Sequence, residues 1–245
     1  ERQYTDYRVL IDQEQPEILS AATQPEERAE IIIYAVENGT RAIWAEKALC
    51  ASLPDADAIV AAVEANGAVL NMHTQKRFDP GFIKAKEIID GGELGALQSM
   101  VIYNNNALWD GSSHYFDVIK AINDDDPVAW IQGHLPGGLH GYEHGTHYDT
   151  FEGDIVPGDP CAHGIIQFKN GVAAYALLSG RGQDYDFICE GGTISSLDIG
   201  SQWQLRKTQP DEYGFPHTEF APFPAFKRRS LSLGLVQDLV NSLDT

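Results

Sequence analysis

The stretch ILSAATQPEERAEIIIYAVENGTRAIWAEK, residues 18–47, decides the fold class. It begins with a short apolar run between two prolines, which is typical of a buried strand. Pro25 in a first turn, the acidic pair that follows it and Gly39 at the end predict a helix. Residues 41–44 then predict a second strand. This order indicates a right-handed crossover between two parallel strands.

The alternation of strand and helix continues to about residue 76. Ser52 is a good N-cap for a second helix, which Gly67 ends, and residues 68–72 predict a third strand. Residues 1–76 therefore read as one domain built on a parallel sheet.

Residues 77–245 have the pattern of an α+β domain. Helices are predicted at residues 80–90 and 113–122, and strand signals predominate from residue 128 onward. An open antiparallel sheet is predicted over residues 165–206, with an Asn-Gly hairpin turn inside it. The segment 209–226 holds four prolines and predicts an irregular crossing segment. A final helix is predicted at residues 231–243.

Composition and charge exclude several classes of function. The 245 residues include 36 acidic and 17 basic side chains, a formal net charge of −19. This charge repels phosphates and anionic lipids, so we expect neither a nucleic acid nor a membrane as partner. No apolar run has the length of a membrane span. The three cysteines lie far apart, which indicates reduced thiols, and the first residues lack signal-peptide character; both favour a cytoplasmic protein.

Two groups of residues stand where chemistry could occur. Glu46 and Lys47 directly follow the second predicted strand, and the carboxyl ends of parallel strands face the ligand crevice of an open sheet. Position alone leaves open whether Lys47 binds a ligand or pairs with Glu46 at the surface. Asp110 and His114 stand where a helix is expected to begin. The pair suits proton transfer. The same pattern is explained if Asp110 or Ser112 is only the N-cap of the helix and His114 is a polar residue with ordinary hydrogen-bond partners.

An ordered set of motifs resembles the Gfo/Idh/MocA oxidoreductases, which include glucose–fructose oxidoreductase and inositol dehydrogenase. The resemblance runs from about residue 4 to residue 243 in the family's order. Its members are ATQP at residues 22–25, EKA at 46–48, QKRFDP at 75–80, DxxxHxxD at 110–117, FKNG at 168–171 and CEGGT at 189–193. Each motif is weak alone, and the ordered set is specific.

The resemblance implies roles for individual residues. Lys47 matches the lysine that binds the reacting hydroxyl beside the nicotinamide, and His114 matches the usual proton acceptor. The implied catalytic residues are Lys47, Asp110 and His114. The implied cofactor-binding residues are Thr23, Pro25, Glu46, Lys47 and Arg77. The implied substrate-binding residues are Lys47, Arg77, Asn106, Asp110 and His114.

The resemblance further implies NAD or NADP as cofactor and a sugar or polyol as substrate. Hydride would pass to the nicotinamide while His114 takes the hydroxyl proton. A non-catalytic regulator that senses the cofactor or a sugar, and an NAD-dependent glycoside hydrolase, stay open as alternatives on the same fold. Because the antiparallel sheet makes a dimer contact in this family, a homo-oligomer, dimer or tetramer, is expected.

The sequence departs from the family's pattern in three places. Ala48 replaces a proline, which is expected to loosen the turn that aims Lys47, and Arg28 stands where histidine is common. The glycine-rich turn that binds the cofactor's phosphates is missing before residue 18. The resemblance therefore implies an incomplete Rossmann domain in residues 1–76, followed by a domain for substrate and oligomerisation in residues 77–245. It also implies further structure beyond the last helix.

Two expectations follow from reading the chain as a fragment. By itself it should be inactive and free of cofactor, because the phosphate contacts are lost. Lys47, Asp110 and His114 should nevertheless converge on one crevice between the two domains.

A histidine-rich stretch, with His140, His144 and His147, raises the question of a metal site. Imidazole and carboxylate groups are ligands for zinc and iron. Two glycines, Gly141 and Gly145, lie in the same stretch and predict a loop. We therefore expect a loop over the substrate pocket and no metal.

Overall fold

The computed structural model describes residues 2–104, 108, 111–136, 162–179 and 182–243. It divides into two compact units, Glu1–Gln75 with Ser230–Thr245, and Lys76–Arg229. The expected boundary after residue 76 lies one residue from the observed one. The C-terminal segment differs from expectation, because it belongs to the first unit and not to the second.

Apart from α1 and β11, which were not expected, helices and strands follow each other in the predicted order. The helices are α1 (Tyr7–Glu14), α2 (Pro25–Glu37), α3 (Leu53–Ala65), α4 (Pro80–Asp90), α5 (Ser112–Ile122) and α6 (Leu231–Asn241). The strands are β1 (Ile18–Ala21), β2 (Ala42–Ala45), β3 (Val69–Met72), β4 (Leu97–Asn104), β5 (Val128–His134), β6 (His163–Phe168), β7 (Ala173–Leu178), β8 (Asp184–Cys189), β9 (Gly192–Leu197), β10 (Gln202–Pro210) and β11 (Pro216–Ala221). A short 3₁₀ turn spans Gln75–Phe78.

Capping side chains fix where the helices begin. The Ser52 hydroxyl accepts a hydrogen bond from the Asp55 N–H at 3.2 Å, and the Asp79 carboxylate accepts one from the Gly81 N–H at 2.7 Å. Pro25 occupies the first turn of α2, where its missing N–H costs nothing.

The first unit contains a parallel sheet in the order β1-β2-β3. Its described core is built from buried aliphatic side chains of α1, α2, α3 and these strands, with Ile32, Ile43 and Ile59 fully buried. Helix α6 packs on β2 and β3. The Asn71 amide donates to the Asp238 carboxylate at 3.1 Å, which links β3 to that helix. These contacts are why the C-terminal segment belongs to this unit.

The second unit contains an eight-stranded sheet in the order β11-β10-β9-β8-β4-β7-β6-β5. It is mixed, because β4 pairs in parallel with β7 while the neighbouring pairs are antiparallel. Helices α4 and α5 contribute to the core on one face, where Phe82, Tyr115 and Phe187 are buried. The expectation of an irregular crossing segment over residues 209–226 is wrong in its middle, because β11 pairs there with β10. The sequence did not predict this strand, because Pro216 begins it and Pro210 lies shortly before it. Prolines are tolerated here, since β11 lies at the edge of the sheet.

No helix in the described part of the chain is long and apolar enough to cross a membrane.

Candidate functional site

Polar side chains gather where the parallel strands of the first unit end. Ala21, Ala45 and Met72 end β1, β2 and β3 level with one another in the sheet. Thr23 lies just beyond the first of these ends, the pair Glu46 and Lys47 beyond the second, and His73 beyond the third. In open α/β sheets this edge is where ligands bind.

A buried arginine ties two of these loops together. Arg28, on α2, is only 2% exposed. Its guanidinium donates to the Glu46 carbonyl oxygen at 2.6 Å and also to the Ala48 carbonyl oxygen. A second nitrogen donates to the Thr23 carbonyl oxygen. Because a planar guanidinium can serve several acceptors at fixed angles, this one side chain sets the spacing of the loops after β1 and β2.

A second hydrogen-bonded chain crosses the same edge. The Glu46 carboxylate accepts from the Lys47 N–H at 3.1 Å, and its other oxygen is hydrogen-bonded to His73 Nδ1. His73 Nε2 lies 3.2 Å from the Ser232 hydroxyl oxygen on α6. The His73 ring also contacts the Trp44 ring edge-on, with centroids 5.2 Å apart. Glu46 and His73 are therefore held in one orientation.

The predicted residues of this unit have different environments. Thr23 is exposed, Pro25 is buried as the first residue of α2, and Glu46 and Lys47 are half-buried. The peptide bond between Lys47 and Ala48 is cis. Thr23, Glu46 and Lys47 thus share one accessible edge, whereas the Pro25 ring packs inward.

The predicted residues of the second unit are only partly described. His114 lies in the first turn of α5 and is half-buried. Asp110 and Asn106 lie outside the described residues. Because Lys47 and His114 belong to different units, their convergence on one crevice stays a prediction.

Arg77 is bound by carboxylates of its own unit. Its Nε donates to Asp117 at 2.9 Å, and its terminal nitrogens donate to Asp125 at 3.2 Å. Burial opposes the charge, but these hydrogen bonds outweigh it and raise the pKa of the guanidinium above its usual range. Its predicted role toward cofactor or substrate stays a prediction, and any ligand would share it with two carboxylates.

The neighbouring Lys76 is the more unusual cation. It is 8% exposed, and among the described residues its ammonium has no hydrogen-bond partner. Its Nζ lies 5.6 Å from the centre of the Tyr115 ring. Burial lowers the pKa of Lys76 to about 8, although Asp79 acts in the opposite direction.

Helix α5 also borders an apolar cavity of about 340 Å³ in the second unit. Tyr115 and Phe116 line it from the helix, and Ile166 lines it from the sheet. At its border the rings of His134 and His163 stack with centroids 4.9 Å apart. The three histidines between residues 140 and 147 lie outside the described residues. Elsewhere in the described ranges, no three His, Cys, Asp or Glu side chains group as a metal site.

Sequence reasoning missed His73, Ser232, and the roles of Arg28 and Lys76. His73 could have been found, because it follows the third strand just as Glu46 follows the second. Ser232 carries no such signal, since it meets His73 across 159 residues of chain.

Sequence comparison connects the chain with dehydrogenases of cyclic polyols. No protein-family model matches it. Inositol 2-dehydrogenase of Salmonella typhimurium is 24% identical over 139 residues, which cover 51% of this chain and 40% of the relative. An uncharacterized oxidoreductase of Bacillus subtilis, YrbE, is 32% identical over 134 residues, covering 53% of this chain and 39% of that protein. The scyllo-inositol 2-dehydrogenase (NAD(+)) of the same species is 39% identical over 66 residues, covering 27% of this chain and 19% of the relative. The chain thus spans at most about two fifths of the length of these relatives.

Solved structures share the fold over nearly the whole chain. An oxidoreductase from Magnetospirillum magnetotacticum MS-1 superposes with a TM-score of 0.72 at 19% identity, covering 99% of this chain and 77% of that one. A levoglucosan dehydrogenase in complex with NADH and levoglucosan superposes with a TM-score of 0.70 at 18% identity, covering 98% of this chain and 73% of that one. In partial sequence and in fold, the chain is therefore similar to the Gfo/Idh/MocA oxidoreductases, as its ordered motifs indicated.

Proposed function

We propose that the protein is an NAD(P)-dependent oxidoreductase that acts on a hydroxyl group of a sugar or polyol. The observation that carries the proposal is the pair of loops linked by Arg28, which brings Thr23, Glu46 and Lys47 to the carboxyl edge of the parallel sheet. An edge of this kind is the ligand crevice of dinucleotide-binding folds.

These residues fit the nicotinamide end of the cofactor. Thr23 offers a hydroxyl, Lys47 offers an ammonium, and both lie on loops that Arg28 holds in place. Residues 1–38 contain no glycine, so this part of the sequence offers no glycine-rich turn that could approach a pyrophosphate. NAD or NADP, when bound, supplies the hydride acceptor or donor.

The chain's own residues would bind and deprotonate the alcohol. Lys47 Nζ donates a hydrogen bond to the reacting hydroxyl oxygen and stabilises the negative charge that grows there. The His114 imidazole takes the hydroxyl proton, a role that histidine often has as a general base. Asp110 would orient the imidazole or hold the substrate.

The relatives narrow the substrate class. Their names specify inositol and scyllo-inositol, and the levoglucosan dehydrogenase structure holds an anhydrosugar and NADH. We extend this to a cyclic polyol or a sugar in the present protein. All three molecules present several hydroxyls on a ring, which a lysine and a histidine can bind at neighbouring positions.

The experiment compares the amount of reduced nicotinamide formed with the amount of free sugar released. The natural gene product, with any coding sequence that precedes Glu1, is incubated with NAD or NADP and with inositols, levoglucosan or aryl glycosides. An oxidoreductase forms reduced nicotinamide in proportion to polyol consumed. Free sugar without net reduction would favour the glycoside hydrolase, and binding without turnover would favour the regulator.

We further propose a homo-oligomer, dimer or tetramer, through the open face of the large sheet. Trp130, Tyr175 and Leu177 share the face opposite the helices and are 49%, 38% and 43% exposed. Large side chains side by side on one face indicate an interaction surface. Light scattering at micromolar concentration tests this, and a monodisperse monomer would contradict it.

A further inference from the structure

An acid, an imidazole and a hydroxyl form one hydrogen-bonded chain in the first unit. Glu46 Oε1 is bonded to His73 Nδ1, and His73 Nε2 lies 3.2 Å from Ser232 Oγ. The three residues come from the ends of β2 and β3 and from the first turn of α6. Nucleophile, base and orienting acid are recognised by such geometry, and the chain order acid, histidine, serine is one that serine hydrolases use.

Hydrogen-bonding chemistry fixes the direction of the chain. A carboxylate can only accept, so His73 Nδ1 must carry the hydrogen that it shares with Glu46. In the neutral imidazole Nε2 is then the acceptor, and the Ser232 hydroxyl donates to it. This is the tautomer that a general base needs in order to remove the proton from a serine.

The acid and the base are fixed in place before any substrate binds. Glu46 Oε2 accepts from the Lys47 N–H at 3.1 Å, which holds the second carboxylate oxygen. The backbone N–H of His73 donates to the Ala45 carbonyl oxygen at 2.8 Å, and the Trp44 ring contacts the imidazole edge-on. Preorganised groups of this kind avoid the cost of reorientation during reaction.

The helix that carries Ser232 supplies donors for an oxyanion. Ser232 is the second residue of α6, and the first-turn N–H groups of a helix have no carbonyl partner within it. The Ser230 side chain makes no capping hydrogen bond to them. The positive end of the helix dipole also favours a developing negative charge.

We propose that Ser232, His73 and Glu46 form a second catalytic site, a serine acyl-transfer centre that hydrolyses carboxylic esters. It goes beyond the proposed oxidoreductase function and needs no dinucleotide. Ser232 Oγ bonds to the ester carbonyl carbon while its proton passes to His73 Nε2, and the carbonyl oxygen becomes an oxyanion. The ester C–O bond then breaks, and the alcohol leaves with the proton from His73. Water repeats the sequence on the acyl-serine, so that ester and water give acid and alcohol.

The test is covalent labelling of the 245-residue chain. A fluorophosphonate is added to the purified protein, the intact mass is measured, and the modified peptide is sequenced. We expect one adduct per chain, at Ser232, and a burst of p-nitrophenol from p-nitrophenyl acetate. Absence of an adduct, or an adduct at another residue, would overturn the proposal.

Variants separate catalysis from structure. His73→Gln and Glu46→Gln should each slow labelling, the first by about 100-fold or more, since general-base catalysis contributes at least that much. Ser242→Ala is the matched control, because its hydroxyl lies at the other end of α6 and donates to the Asp238 carbonyl at 2.9 Å. Its labelling should equal that of the wild type. Unchanged labelling of folded His73→Gln would overturn the proposal, whatever the outcome for hydride transfer.

Discussion

Arg28 should determine the stability of the loops that carry Thr23 and Lys47. Replacing it by methionine keeps an unbranched apolar stem but removes the guanidinium that binds three backbone carbonyls. Hydrogen bonds to a charged donor contribute about 1.5–3 kcal/mol each, so the gross loss is about 4.5–9 kcal/mol. Relief from burying the charge offsets several kcal/mol of this. We therefore expect the free energy of unfolding to fall by about 3–5 kcal/mol, because three backbone carbonyl oxygens lose their hydrogen-bond donor.

The assay combines urea denaturation with hydrogen exchange. The midpoint should shift to lower urea, and amides of residues 21–24 and 46–50 should exchange faster. The urea midpoint of Arg28→Lys should lie between those of the wild type and Arg28→Met, since a single ammonium group cannot donate hydrogen bonds to both loops as the planar guanidinium does. Arg41→Met is the control: this arginine is more than half exposed and pairs with Glu17, so about 1 kcal/mol or less is expected. If Arg28→Met unfolds at the wild-type midpoint and exchanges no faster in these loops, the reasoning is refuted.

Three further predictions concern charge, cofactor and assembly. The folded protein loses the Lys76 proton near pH 8, whereas the unfolded chain keeps it to about 10.5, so stability should rise with pH across that window. Lys76→Met should remove this dependence. In urea melts, the difference in the free energy of unfolding between the wild type and Lys76→Met should therefore change by up to about 3 kcal/mol across this pH window. Calorimetry of the 245-residue chain should give dissociation constants of about 1 mM or weaker for NADH and NADPH, because residues 1–38 hold no glycine-rich turn for the phosphates; tight binding of either would show that other residues recognise the phosphates. Leu177→Lys should shift light scattering toward the monomer, and a persistent oligomer would place the interface elsewhere.

Local signals in the sequence were sufficient for most of the parallel unit. Capping residues such as Ser52 and the proline at the start of α2 act within one turn, so they can be read without the fold. Helix α1 was not predicted, because it has only eight residues and its apolar stripe is limited to Tyr7, Leu10 and Ile11, which pack against the core of the first unit. The parallel pairing of β4 with β7 joins strands far apart in sequence, and no short motif encodes it.

The candidate site was predictable where it depends on strand ends. Thr23, Glu46 and Lys47 follow the ends of strands, and the sheet alone places them at one edge. The Arg28 network depends on how α2 faces the two loops, which composition does not reveal. Arg77 and Lys76 are neighbours in one motif, yet carboxylates bind the first while the second lies buried beside Tyr115. Only tertiary packing distinguishes them.

Transfer of deuterium tests the central claim most directly. The natural gene product is incubated with NAD and with a polyol deuterated at the carbon that bears the reacting hydroxyl, and the nicotinamide is examined by mass spectrometry. The proposed function predicts one deuterium in each reduced nicotinamide and a loss of rate of about 100-fold or more in Lys47→Met, the effect of removing one donor to a developing oxyanion. Reduced nicotinamide without deuterium, or a rate that Lys47→Met leaves unchanged, would contradict it.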